Sequence, residues 1–291
     1  MKKIVYFLLL ALPALSQVAL LQWSDEGFYK ELETKYLANL QWNVDVYNIA
    51  GNIKELPNVV SKIKQREYKI VIVIGDEILQ NIVNDFNETP VIFLGCSNTS
   101  NIIKDKKNFT GIEKTISSST TVSTIIKILP NIKKVGIIFK EITQYTERLS
   151  KAFNEKGIEV EKIMAENPGV VNTALKFLTD VDLIIMVPDE LNRDNATFKF
   201  LLMYSTKSLV PIMGIDKPYV KTGALFCIGI KTNFIAEKGA EYTKKILNGI
   251  PPSELPVLFS EASYTINLKV AEKYKINIDE NVLKEAEEIV K

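Results

Sequence analysis

The sequence predicts an α/β fold in two lobes, each built on a parallel sheet. Three observations carry that expectation. Short β-branched runs alternate with longer amphipathic stretches, the pattern of strand and helix units in a parallel sheet. Two of the runs, over 70–74 and 90–94, are apolar throughout, as strands covered on both faces must be. The alternation stops in a polar stretch over 108–121, rich in Ser and Thr, and then restarts, so the chain holds two successive βαβ half-units of similar size. No repeated sequence links the halves; they share a rhythm only.

The elements follow in order. The first strand is expected over 17–23 and a helix over 25–40, with Asp25 as N-cap and Phe28, Leu32, Tyr36 and Leu40 four apart on one face. A strand over 44–49, a helix over 53–64, a strand over 70–74, a helix over 77–86 and a strand over 91–94 complete the first half. Beyond the polar connection come a helix over 122–129 stopped by Pro130, a strand over 134–139, a helix over 143–156 ended at Gly157, and a strand over 158–164. A helix over 170–178, a strand over 182–187, a helix over 195–206 and a strand over 210–214 follow. A third part opens with a strand over 224–230 and a helix over 233–247, closed by Gly249 and stopped by Pro251 and Pro252. Residues 257–259 are expected to be extended. Helices over 267–274 and 279–290 end the chain, the last capped by Asp279 and buried through Val282, Ala286 and Ile289.

Composition narrows the function classes. With 291 residues, 46% of them apolar, the chain can bury cores for about two domains at roughly 150 residues each. Disordered, collagen-like and disulfide-stapled classes are excluded. Lys and Arg number 36 against 35 Asp and Glu, so no basic surplus exists to neutralise a phosphate backbone, and nucleic acid is not an expected partner. The sequence has no His, which removes Ser-His and Cys-His dyads and most zinc sites, so no metal site is expected and imidazole chemistry is excluded. Cys96 and Cys227 stand in apolar stretches and read as buried free thiols, with a single bridge as the alternative.

At the N-terminus, Lys2 and Lys3 precede an apolar run over 4–12, then Pro13, Ala14, Leu15 and Ser16. That is the order of a secretory signal peptide over 1–16, with the mature chain starting at Gln17. A buried strand or a short membrane span are the alternatives, but the run falls well short of the roughly 20 apolar residues a span needs. No Cys follows the cleavage site to carry a lipid, so a soluble periplasmic protein is expected.

Parallel sheets offer ligands the loops at the carboxyl ends of their strands, where helix N-termini present free N–H groups. In the first half those loops supply Trp23, Ser24, Asp76, Ser97 and Asn98; in the second they supply Tyr145, Asp189, Glu190 and Asp216. Asp25, Asp76, Asp189 and Asp216 could equally cap the helices that begin there. Trp23 and Tyr145 could wall a ligand ring or simply pack. Two carboxylates could also act as a general acid and base. Gly75-Asp76-Glu77 is no phosphate-binding glycine loop and no P-loop occurs, so no cofactor is expected. Cys96, at a strand end but without a His base, is a weak nucleophile.

The third part carries a set of motifs in fixed order: Lys221-Thr222-Gly223-Ala224-Leu225, Gly229-Ile230, Lys245-Ile246-Leu247-Asn248-Gly249, Leu255-Pro256 and Ile266-Asn267-Leu268-Lys269-Val270-Ala271. Upstream stand Asn108-Phe109-Thr110-Gly111, Ile128-Leu129-Pro130-Asn131-Ile132-Lys133-Lys134-Val135-Gly136, Val187-Pro188 and Asp216. Together they resemble the extracytoplasmic substrate-binding proteins of ABC transporters of the tryptophan/tyrosine type. The resemblance implies a type I periplasmic binding protein-like fold: two Rossmann-like lobes joined by a three-crossover hinge. Lobe 1 would then hold 17–116 plus 233–258, and lobe 2 would hold 117–232 plus 259–291. It further implies a monomer that closes on a small-molecule ligand and delivers it to an ABC permease at the membrane, with no catalysis. The ligand loops depart from the family: Ser97-Asn98-Thr99 stands where Ser-Asp-Pro is usual, Asp76 where a Thr is common, Thr143-Gln144-Tyr145-Thr146 where Glu-x-Asn-Ser is usual, and Lys231 where an Asp follows Gly-Ile. Carboxylates around the ligand loops therefore point to a small polar or amino-acid-like ligand with an amine. A ligand-sensing domain coupled to a membrane partner and an α/β enzyme using cleft carboxylates are the alternative readings.

Overall fold

The computed structural model of the protein describes residues 16–291, so the export signal read over 1–16 lies, apart from Ser16, outside the described residues. The strands, in chain order, are β1 (Val18–Gln22), β2 (Val44–Asn48), β3 (Ile70–Ile74), β4 (Val91–Cys96), β5 (Phe109–Glu113), β6 (Lys134–Phe139) and β7 (Glu159–Met164). They continue as β8 (Leu183–Met186), β9 (Ile212–Gly214), β10 (Phe226–Ile230), β11 (Leu258–Phe259), β12 (Ala262–Asn267) and β13 (Glu288–Val290). The chain forms two compact units. The first holds the described residues up to Thr115 together with Thr232–Ser260, the second Ile116–Lys231 with Glu261–Lys291.

The first unit is built on a parallel six-stranded sheet in the order β11-β5-β4-β3-β1-β2. Successive residues of a strand point to opposite faces, so a strand such as β3, Ile-Val-Ile-Val-Ile, must be covered twice, and every residue of β1, β3 and β4 is buried. On one face Ala19, Leu21, Val71, Val73 and Phe93 pack with Val60, Ile63, Ile78 and Ile82 of the helices Leu56–Gln65 and Asp76–Ile82. Elsewhere in the unit the helix Gly27–Ala38 and the returning helix Thr232–Leu247 lie against each other, and the buried Tyr36 hydroxyl and Thr243 Oγ1 share a 2.7 Å hydrogen bond across them.

The second unit carries a seven-stranded sheet in the order β13-β12-β10-β9-β8-β6-β7, parallel except for the antiparallel pair β10 and β12. Its alternation is equally legible. Ile137 and Ile185 pack with Val122, Ile125, Leu149 and Phe153, while Ile138 and Ile184 join Val171, Leu175, Phe198 and Leu201. Among the described residues no helix is long and apolar enough to cross a membrane.

Several elements differ from the sequence expectation, among them the short helices Thr99–Ile103, Glu190–Arg193 and Lys217–Thr222, which the sequence pattern does not announce. The stretch over 108–121 was expected to be connection only, yet it contains β5, all of it buried, and the start of the helix Ser118–Ile128. Its polar residues are satisfied inside: Thr110 Oγ1 donates to Leu255 O at 2.8 Å, and Glu113 accepts from Thr99 N and Oγ1 at 2.9 and 2.6 Å. β12 went unforeseen for the same reason, since it reads Ala-Ser-Tyr-Thr-Ile-Asn. The last helix stops at Glu285, and β-branched Ile289 and Val290 pair in β13 with β12. Finally, the helix expected from Asp25 starts at Gly27 without a side-chain cap bond.

Candidate functional site

In the first unit, β1, β3, β4 and β5 end side by side and deliver Trp23, Ser24, Asp76, Ser97 and Asn98 to one rim. Trp23 leaves β1 through Trp23 N to Ile74 O at 3.0 Å, and its half-buried ring packs on the core. Ser24 Oγ accepts from Glu26 N at 3.3 Å. Asn98 holds the left-handed turn that follows β4, with φ 50, a conformation its short amide tolerates. Asp76 does not stand free: Oδ1 accepts from Ser97 N at 2.6 Å, and Oδ2 pairs with Lys114 Nζ at 2.8 Å. Lys114 follows β5 directly and lies 5.9 Å from the centre of the Phe28 ring. It escaped the sequence reading because its strand did; a strand recognised over 109–113 would have placed it on this rim.

In the second unit, Tyr145, Asp189 and Glu190 share a cavity of about 540 Å³ with Lys140, Thr143 and Arg193. Tyr145 is positioned by a reciprocal cap: Thr143 Oγ1 accepts from Thr146 N at 3.2 Å, and Thr146 Oγ1 accepts from Thr143 N at 2.9 Å. Asp189 is consumed by structure. Its Oδ1 accepts from Asn192 N at 2.9 Å, capping the short helix Glu190–Arg193, and its Oδ2 accepts from Lys140 N at 2.8 Å. Glu190 meets Lys140 Nζ at 2.6 Å, and that hydrogen bond, with the ammonium's charge, holds its carboxyl below the ordinary value. Both partners are exposed, so the pair contributes little stability.

Asp216 behaves differently. It occupies the N-cap position of the helix Lys217–Thr222, just past β9, yet its side chain makes no cap bond, and its Oδ1 is buried without a hydrogen-bond partner. Burial, and then the Asp216 charge, push the Tyr219 phenol up, which puts that phenol within electrostatic reach of Asp216. Of the four carboxylates the sequence singled out as ligand candidates, three have partners inside their own unit and Asp216 keeps an open acceptor.

No group of three metal-ligating side chains occurs among the described residues. Cys96 and Cys227 are both buried free thiols, not a bridge. Burial, against the Gly75 backbone hydrogen bond, pushes the Cys96 thiol up to about 12, and burial pushes Cys227 up to about 11. An ordinary thiol ionises at about 8.5, so above that pH the unfolded chain releases protons that the native chain retains, and stability should fall as pH rises toward 11. At pH 8 a disulfide reagent should find no reactive thiol in the native protein and both after denaturation in guanidinium. Fast native labelling at either position would contradict this.

Residues 15–290 match the family of ABC transporter substrate binding proteins. A tyrosine-binding protein of Clostridioides difficile strain R20291 is 22% identical over 276 residues, covering 87% of this chain and 78% of the relative. Among solved structures, the fold resembles the ligand-free, open form of a Clostridium difficile substrate binding protein with adhesive properties, at TM-score 0.79 and 17% identity over 95% of this chain and 99% of that one. It also resembles a Streptococcus pneumoniae ABC domain in complex with L-Trp, at TM-score 0.58 and 21% identity over 94% and 99% of the two chains.

Proposed function

The chain belongs to the ABC transporter substrate binding protein family, and from that premise we propose that it captures a small, amino-acid-like solute outside the cytoplasm for the permease of an ABC importer. Proteins of this family bind solutes and do not transform them, so the chain is not an enzyme. Export would run through the signal read over 1–16, and the mature protein would act as a monomer. Binding would proceed by closure of the two units on the ligand, a motion that asks for a hinge and no catalytic group. The observation that carries the ligand class is the unpartnered Oδ1 of Asp216, because a buried carboxylate oxygen without a donor is costly unless a ligand supplies one. An ammonium is the donor that fits. Trp23 and Tyr145 offer rings beside which an aromatic side chain could rest.

A thermal-shift panel of amino acids, amines, apolar compounds and polyanions tests the proposal. The tyrosine-binding relative and the L-Trp complex put aromatic amino acids first in that panel. A true ligand at 100 times its dissociation constant should stabilise the protein by about 2.7 kcal/mol. Stabilisation by apolar compounds or polyanions alone would overturn the reading.

A further inference from the structure

We propose that Lys114 is a specificity-determining residue, which by neutralising Asp76 makes the first unit favour amino acids over the corresponding amines. The inference rests on the solute class proposed above. Asp76 at the end of β3 and Lys114 at the end of β5 meet across the end of β4, with Ser97 N completing the bond set on the carboxylate. Their side chains are 26% and 29% exposed, so the pair belongs to the reachable surface of the rim and not to the core. Glu113, beside Lys114, is turned onto Thr99, and Glu77 is exposed but its charge, like those of Lys114 and Asp76, reaches Tyr29; being unaltered in every variant compared below, it leaves the comparison between them intact.

The charge balance follows. Without Lys114, the rim would carry a half-buried carboxylate with one backbone donor, a site for a cation. With Lys114, that carboxylate is cancelled, and an ammonium has three N–H donors, of which Asp76 takes one. Burial works against the Lys114 charge, but the Asp76 hydrogen bond and charge outweigh it and raise its pKa, so the ammonium stays protonated. A ligand carboxylate can share it through a charge-assisted hydrogen bond.

Calorimetry with two matched pairs, L-tyrosine with tyramine and L-tryptophan with tryptamine, reads this directly, because each pair differs only in the carboxylate. The wild type should prefer the amino acid of a pair by about tenfold or more, the scale of one charge-assisted hydrogen bond. Lys114→Gln should shift that ratio by at least about tenfold toward the amine, since it uncovers Asp76. The double variant Asp76→Asn with Lys114→Gln should show no strong preference either way. Melting temperatures recorded alongside separate lost folding from altered selectivity, since a purely structural ion pair would lower both affinities equally. A Lys114→Gln variant that binds with the wild-type ratio overturns the proposal while leaving the solute class intact. A wild type that binds none of the four compounds overturns the aromatic amino-acid ligand, and this inference with it.

Discussion

Replacing Asp216 by Asn should leave the melting temperature in place and weaken ligand binding roughly tenfold to 150-fold, the loss of about 1.5–3 kcal/mol expected for a hydrogen bond to a charged group. The position would ordinarily suggest the opposite outcome. An N-cap Asp accepts from a backbone N–H at the second or third helical residue, and its loss costs about 0.5–2 kcal/mol of stability. Asp216 makes no such bond: only its backbone oxygen serves the turn, accepting from Tyr219 N at 3.2 Å. The helix Lys217–Thr222 is secured elsewhere, by Lys217 to Glu287 at 2.8 Å, Lys221 to Glu288 at 3.0 Å, and Asn267 Nδ2 to Val220 O at 2.7 Å. Removing the charge should therefore take no cap bond from the scaffold, whereas a ligand ammonium bound as proposed would lose its counter-ion. Calorimetry on the ligand found in the panel decides this, with the melting curve as control. Unchanged affinity would return Asp216 to the scaffold.

The contrast between Asp216 and Asp76 marks how far the sequence could be read. Strands buried on both faces announce themselves, and β3 and β4 were legible to within two residues because Ile, Val and Phe leave no polar face. β5 is buried throughout and β12 in all but Ala262, yet they carry Thr, Glu, Ser and Asn, several of which are held by side-chain bonds to distant segments, such as Thr110 to Leu255 and Asn267 to Val220. Periodicity does not register such bonds. The loops at the strand ends were legible as well, since a parallel sheet fixes where its helices begin. What stayed illegible was which of their carboxylates is already engaged. Asp189 was readable as a cap, from local spacing, and it does accept from Asn192 N. Asp76 was not, because its partner Lys114 follows a strand that the composition concealed. Whether a charge is free is a property of long-range pairing, and single-sequence patterns carry short-range information.

Gly111→Ala should destabilise the protein by about 3 kcal/mol or more, at the upper end of what overpacking costs, and lower Tm by roughly 6 °C or more. Gly111 pairs with Phe93 in the register of β4 and β5, and a Cβ there would lie 2.0 Å from Phe93 O and 2.6 Å from Cδ2 of its ring. The first contact is with backbone in the middle of a sheet, so no rotamer change relieves it and β5 has to move. A second strand glycine supplies the control. A Cβ on Gly136 in β6 meets nothing nearer than Ile163 Cδ1 and Leu178 Cδ2, both at 3.6 Å, which is ordinary contact. Gly136→Ala should therefore be neutral or stabilise by about 0.4–1 kcal/mol, through the reduced entropy of the unfolded chain. The same shift of β5 would carry Glu113 and Lys114 with it, so at temperatures where the Gly111→Ala protein is still folded, the Asp76 carboxylate should lose its partner and amine binding should gain over amino-acid binding. Urea unfolding of both variants, with tyrosine and tyramine titrations of the folded protein, reads the two consequences together. Equal midpoints for Gly111→Ala and Gly136→Ala would show that β5 tolerates the methyl group, and would remove the close approach of β4 and β5 as the reason for glycine at this position.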